Sequence, residues 1–157
     1  MDKIFLKPIT SEEFSRWRAI AVKTYAAEKQ KSGLLKNEAE EVANTSFNSL
    51  LPENEKTPNH YLFSVVESDT GLRVGTLWWG LQKQGNGLSP WIYDILLEES
   101  ARGKGYGRAT MLAAEASVRE NGHRRLGLHV FGHNQVARNL YDSMGFKTTS
   151  VVMLKEL

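Results

Sequence analysis

Arg102-Gly103-Lys104-Gly105-Tyr106-Gly107-Arg108 brings three cations and three glycines together where the chain is predicted to pass from a strand into a helix. Glycines let the backbone come close to an anion and adopt positive φ. A helix start adds unpaired N–H groups and the positive end of the helix dipole. With Arg102, Lys104 and Arg108 the chemistry on offer is the binding of a phosphate or pyrophosphate. Two better-known phosphate loops are excluded. No Gly-x4-Gly-Lys-Ser/Thr run exists, and position 108, where a dinucleotide fingerprint needs its third glycine, is an arginine. A tight strand-to-helix turn that needs glycine only for its shape would have the same composition, so the glycines alone leave both readings open.

Two other side chains stand out. Asp94 is the one charge inside the apolar run Trp91 to Leu97, and an ionised carboxylate is costly there without a partner. It is a candidate for taking a proton or holding a cation, or for binding a nearby backbone group or arginine. His129 titrates in the useful range and faces opposite to Leu128 and Val130 on a predicted strand. A partly buried histidine bonded to a neighbour is the competing reading. His123 and His133 fall in turns with no His-x3-His partner, so no metal site is expected.

These residues need a scaffold. Ile4 to Ile9 reads as a first strand, and Thr10-Ser11-Glu12-Glu13 as a capping box opening a helix to about Lys31. Phe14, Trp17, Ala21, Tyr25 and Glu28 form one stripe of that helix, expected to be mainly packing. A second helix is predicted from Asn37, with Glu40 three residues on, to Pro52; Glu38, Glu40 and Glu41 read as its solvated face. Strands are predicted at His60 to Glu67 and Leu72 to Leu81, with turns at Ser68–Gly71 and Gln84–Gly87. Trp78 and Trp79 should point to opposite faces. Trp91 to Leu97 is apolar enough for a central strand buried on both faces. Then come a helix from Tyr106 to Glu120, a strand from Arg124 to Phe131, a helix from Asn134 to Met144 ended by Gly145, and a last strand from Lys147 to Leu154. The order β-α-α-β-β-β-α-β-α-β predicts a mixed α/β (α+β) domain spanning residues 1–157.

Composition narrows the function. Of 157 residues, 41% are hydrophobic and 24% charged, with a net charge of +2, which fits an ordinary soluble domain. That basic excess is too small to point to nucleic acid. With no cysteine, disulfides, thiolate metal sites and a cysteine nucleophile are excluded. No apolar run reaches the ~18 residues of a membrane span and no leader is read at Met1 to Thr10, so a cytoplasmic protein is expected.

Arg102-x-x-Gly105-x-Gly107 between a buried strand and a helix resembles the acyl-CoA loop of the GNAT N-acetyltransferase superfamily. The run Val130 to Phe146 resembles the same family's strand-loop-helix signature, with Asn134, Ala137, Tyr141, Gly145 and Phe146 at the recurring positions. The resemblance is strong from about Pro90 to Phe146 and weaker from Ile4 to Leu81. Tyr25–Lys29, Leu50–Pro52 and Thr57-Pro58 are similar to small, functionally uncharacterised bacterial members.

The resemblance implies a mostly antiparallel sheet with two splayed parallel strands, flanked by about four helices. It implies acetyl-CoA as acyl donor and no metal. The pantetheine would pair with Ile95, Leu96 and Leu97 in the manner of an added strand. The amides of Gly103, Lys104, Gly105, Tyr106, Gly107 and Arg108, with Arg102, would take the pyrophosphate. Asn134 would bond the pantetheine or the loop beside it, and Arg138 and Tyr141 would also border the cofactor. Tyr141 matches the family's general acid, its phenol being protonated at neutral pH. For the base, relatives carry a carboxylate at the position of His129 or an acid at that of Asp94. The acceptor would be a small amine, a protein N-terminus or a lysine, and the protein a monomer or homodimer. The alternative is a non-catalytic acyl-CoA-binding module, against which Tyr141 argues.

Overall fold

The computed structural model describes residues 2–157. One sheet holds five strands in the order β1-β2-β3-β4-β5: β1 Ile4–Pro8, β2 His60–Glu67, β3 Arg73–Gln84, β4 Gly87–Leu97 and β5 Gly127–Leu128. The first four are antiparallel neighbours, while β5 runs parallel to β4. The helices are α1 Ser11–Lys31, α2 Lys36–Leu50, α3 Tyr106–Glu120 and α4 Gln135–Ser143. This is the mixed, mostly antiparallel architecture expected.

The sheet separates two cores. On one face, Phe14, Trp17 and Ala21 of α1 and Phe47 of α2 pack on Leu62 and Trp78. On the other, Tyr106, Met111, Ala114 and Val118 of α3 pack on Val65, Leu77, Trp79 and Ile92. Trp78 and Trp79 thus point to opposite faces as their alternation requires. Both indoles are essentially inaccessible.

α1 begins where its capping residues place it. The Thr10 hydroxyl accepts from the Glu13 amide at 3.2 Å and the Glu13 carboxylate accepts from the Thr10 amide at 3.0 Å. With 21 residues the helix is about 31 Å long, long enough for Trp17 and Glu28 to serve different parts of the site. Arg73 ties its first turn to the exit of β4: its guanidinium lies 3.8 Å from Glu13 and pairs with Glu98.

Four expectations are corrected. α2 starts at Lys36, and Glu38, not Glu40, reaches back, to the Leu35 amide. β3 continues to Gln84 and β4 starts at Gly87, so Gly85-Asn86 is a two-residue hairpin turn. Arg124 to Phe131 shrinks to Gly127–Leu128, paired only with Trp91 and Ile92. Lys147 to Leu154 forms no strand, and Val151, Val152, Met153 and Leu154 are exposed. β propensity describes fit to a half-buried pleated surface, and the two-residue β5 offers too little edge to pair with.

Candidate active site

The site is organised by an irregularity in β4. Ile92 pairs with Trp79 and Asp94 with Trp78, which leaves Tyr93 as an extra residue. Such a bulge breaks the alternation of faces. Tyr93 and Asp94 therefore both serve the α1/α2 face. The Tyr93 ring stacks on Trp78 with centroids 4.6 Å apart. Asp94 Oδ2 accepts a hydrogen bond of 2.9 Å from the indole N–H of Trp17. Burial pushes the Asp94 carboxyl up to about 6, opposed by that indole bond.

β4 also parts from β5 at this level. Their pairing ends at Ile92 and Leu128, so among the described residues the edge of β4 from Tyr93 to Leu97 has no strand beside it. Ile95, Leu96 and Leu97 border the gap. Of the run Trp91 to Leu97 only Ile92 is buried; the expectation of a strand enclosed on both faces fails because β5 diverges.

Tyr141 approaches from α4. It is half-buried, with its ring edge-on to Phe146 at 5.7 Å. Burial, and then the charge of Asp94, hold its phenol above the ordinary range. Carboxyl and phenol therefore share one electrostatic field.

His129 is placed differently. It is exposed, with its ring edge-on to Phe131 at 4.9 Å. Partial burial of the ring, and then the charge of Lys29, hold it below the ordinary histidine value. Among the described residues no hydrogen bond joins it to Asp94 or Tyr141. Phe131 also stacks with His133 at 5.6 Å and lies 6.5 Å from Tyr25, and His133 pairs with Glu28. The C-terminal half of α1 is thus fastened to the β5–α4 loop. Sequence spacing held no sign of this pair, whose members are 105 residues apart; the rest of the stripe packs as expected, with Phe14, Trp17 and Ala21 buried and Tyr25 against them.

Beyond β4 a short 3-10 turn, Glu99–Ala101, leads into the glycine loop. Gly103 and Gly105 have φ of +74° and +83°, so both positions favour glycine. The first helical bond of α3 runs from the Ala109 amide to the Gly105 carbonyl at 3.2 Å. Among the described residues, the amides of Gly103 to Arg108 make no hydrogen bond within the chain. The space around the loop is left open. A Cβ on Gly103 would meet nothing within 4 Å, and one on Gly107 only Leu140 and Leu97 at ordinary contact distance. Lys3 donates to the Lys104 carbonyl, Arg102 Nε to that of Leu97 at 3.4 Å, and Arg108 to the Ser143 hydroxyl. Six free amides beside four cations fit a pyrophosphate. Gly105→Ala is expected to cost about 1–2 kcal/mol through its left-handed φ and to weaken pyrophosphate binding. Urea unfolding and calorimetric titration with inorganic pyrophosphate measure the two effects.

Asn134 is the N-cap of α4, its side-chain oxygen accepting from the Ala137 amide at 3.2 Å. Its NH2 group is left for a ligand. Arg138 donates to the Gly132 carbonyl at 3.3 Å. A cleft of ≈ 1420 Å³ beside β5 is lined by Trp91, His129, Phe131, Arg138 and Tyr141, among others. Among the described residues no group of three or more His, Asp or Glu could hold a metal, and no helix is long and apolar enough to cross a membrane.

The same fold exists in known proteins. The sequence profile of the Acetyltransferase (GNAT) family matches residues 21–146. The chain is 40% identical to the uncharacterised N-acetyltransferase YycN of Bacillus subtilis (strain 168), over 98% of this chain and 99% of that protein. It is 33% identical to YdgE of the same organism, also an uncharacterised N-acetyltransferase, over 97% of each. The crystal structure of YycN superposes with a TM-score of 0.90, covering 98% of both chains. A chain with this fold, these relatives and this profile is an acetyltransferase belonging to the GNAT family.

Proposed function

We propose that the enzyme transfers acetyl from acetyl-CoA to a primary amine by direct attack of the amine on the thioester within a ternary complex. The observation that carries this reading is the run of six free amides, Gly103 to Arg108, at the end of a β4 edge that lacks a neighbouring strand. The amides, with Arg102, Lys104 and Arg108, take the pyrophosphate. The backbone of Ile95, Leu96 and Leu97 pairs with the pantetheine amides, and Asn134 and Arg138 border the arm from α4. Bound in this way, acetyl-CoA supplies an activated acyl carbon in the gap between β4 and β5.

An amine must lose a proton to attack, and a lysine-like amine holds its own to about pH 10.4. Asp94 is the better placed base. Its carboxyl is ionised above about pH 6, it borders the gap, and Trp17 fixes one oxygen while the other is left to take the proton. His129, exposed and beside Phe131, belongs to the rim on the acceptor side. Tyr141 protonates the departing thiolate; the raised phenol pKa keeps the proton on that oxygen throughout the neutral range.

The test is thiol release from acetyl-CoA against a panel of small amines and N-terminal peptides, with products identified by intact mass. Amine-dependent CoA release and a mass gain of one acetyl group are expected. CoA binding with no release for any amine would overturn the reading.

A further inference from the structure

His60 opens β2 on the α1/α2 face and takes no part in the chemistry above. Its ring lies 5.3 Å from that of Tyr93 and 5.8 Å from that of Trp78. Trp78 Nε1 donates to His60 Nδ1 at 3.0 Å. An indole nitrogen only donates, so Nδ1 must accept, and the proton of the neutral ring sits on Nε2. Burial favours that neutral ring. The ring's orientation is fixed as well. A Cβ on Gly80 would stand 2.5 Å from His60 Nδ1 and 3.0 Å from Cε1, so the Nδ1–Cε1 edge lies against β3 and the Nε2 edge is turned away from it. Among the described residues Nε2 has no hydrogen-bond partner, and it is not among the buried unpaired atoms.

The two buried indoles of this face thus each hold one titratable side chain, Trp17 the Asp94 carboxylate and Trp78 the His60 imidazole, with the Tyr93 ring stacked on Trp78 beside His60. His60 sits two strands from β4 and two residues along from the level of Asp94. Their Cα atoms are therefore on the order of 12 Å apart, from standard strand spacings.

We infer that His60 is a specificity-determining residue whose fixed Nε2–H donates to an oxygen of the acceptor, several bonds from the amine that Asp94 deprotonates. The substrate class is then an amine that carries a hydroxyl or carbonyl oxygen on an apolar chain lying across Tyr93, rather than a plain alkylamine. This rests on the transferase reading above. His60 carries no proton in the reaction, because its only lone pair is held by Trp78.

The matched probes are 5-aminopentanamide and hexylamine, of equal length with and without an amide oxygen. The wild type is expected to favour the amide in kcat/KM by about three- to tenfold, the range of one hydrogen bond, mainly through KM. His60→Phe should bring the ratio to about one, and His60→Gln, which keeps an N–H at the Nε2 position, should restore it. A structural role alone would change both amines equally. Equal use of both amines by the wild type, or a ratio untouched in His60→Phe, overturns the inference while leaving acetyl transfer standing. The second arm needs no turnover. Nitrogen-15 spectra of the CoA complex should show His60 as the neutral Nε2–H form at pH 6.5. That signal should shift with saturating 5-aminopentanamide and not with hexylamine. A protonated ring, an Nδ1–H form, or no selective shift overturns the assignment even if no amine is acetylated.

Discussion

Tyr141→Phe is expected to lower kcat by roughly 10²–10⁴-fold, the usual worth of a positioned general acid, with CoA affinity unchanged. The substitution removes one oxygen and keeps the ring, so the edge-on packing against Phe146 and the half-buried seat on α4 survive. Stability should move by less than about 1 kcal/mol, because that oxygen makes no hydrogen bond within the chain among the described residues. Rapid quench separates the cases. Loss of the acid slows the chemical step, whereas a merely packing tyrosine would leave it unchanged. The effect should shrink when the leaving thiol is made more acidic, since such a thiolate needs less protonation. Equal losses for acidic and ordinary thiols would remove Tyr141 from the chemistry.

Asp94→Asn should make the protein more stable and less active at once. In the folded chain the carboxyl keeps its proton to about pH 6, against 3.8 for an unperturbed aspartate. Between those values the folded state binds more protons than the unfolded state, so stability falls as pH rises, and it stays lower above pH 6. Asparagine is neutral throughout and still offers Trp17 an oxygen. At pH 8 the variant should therefore exceed the wild type by up to roughly 3 kcal/mol, the equivalent of about two pH units; at pH 3.5 the two should converge. Chemical denaturation at both pH values measures this. The wild-type rate should rise through about pH 6, and that limb should vanish in the variant. If His129→Ala removes the limb instead, the base is His129. The asparagine should also lower the phenol pKa of Tyr141, since the Asp94 charge helps to raise it.

The parts of this molecule that were legible in the sequence are those fixed by near neighbours. Thr10 and Glu13 close a capping box within four residues, Gly145 takes its left-handed φ just past α4, and the glycine loop enters α3 at Tyr106. What was not legible depends on distant partners. Nothing between Arg124 and Phe131 indicates that β5 leaves β4 after two residues. Val151 to Leu154 have the composition of a strand but no edge long enough to receive one. The site shows the same division. Asp94 stood out as a lone charge in an apolar run, yet its Trp17 partner is 77 residues away. His60 carried no signal at all, because its orientation is imposed by Trp78, Gly80 and Tyr93, three residues on two other strands.

The extra residue in β4 sets the parity of everything after it. Without the bulge, strict alternation would aim Asp94 at the α3 face and Ile95 at the indoles of Trp17 and Trp78. The carboxylate would then lie in an aliphatic layer with no donor. Tyr93 thus works as a spacer taken out of the pleat: because it is bulged, Asp94 keeps the face it would have if it followed Ile92 directly. Straightening the bulge would alter chemistry before it altered fold, whereas deleting Tyr93 would leave the acid on its present face and remove only the ring stacked on Trp78.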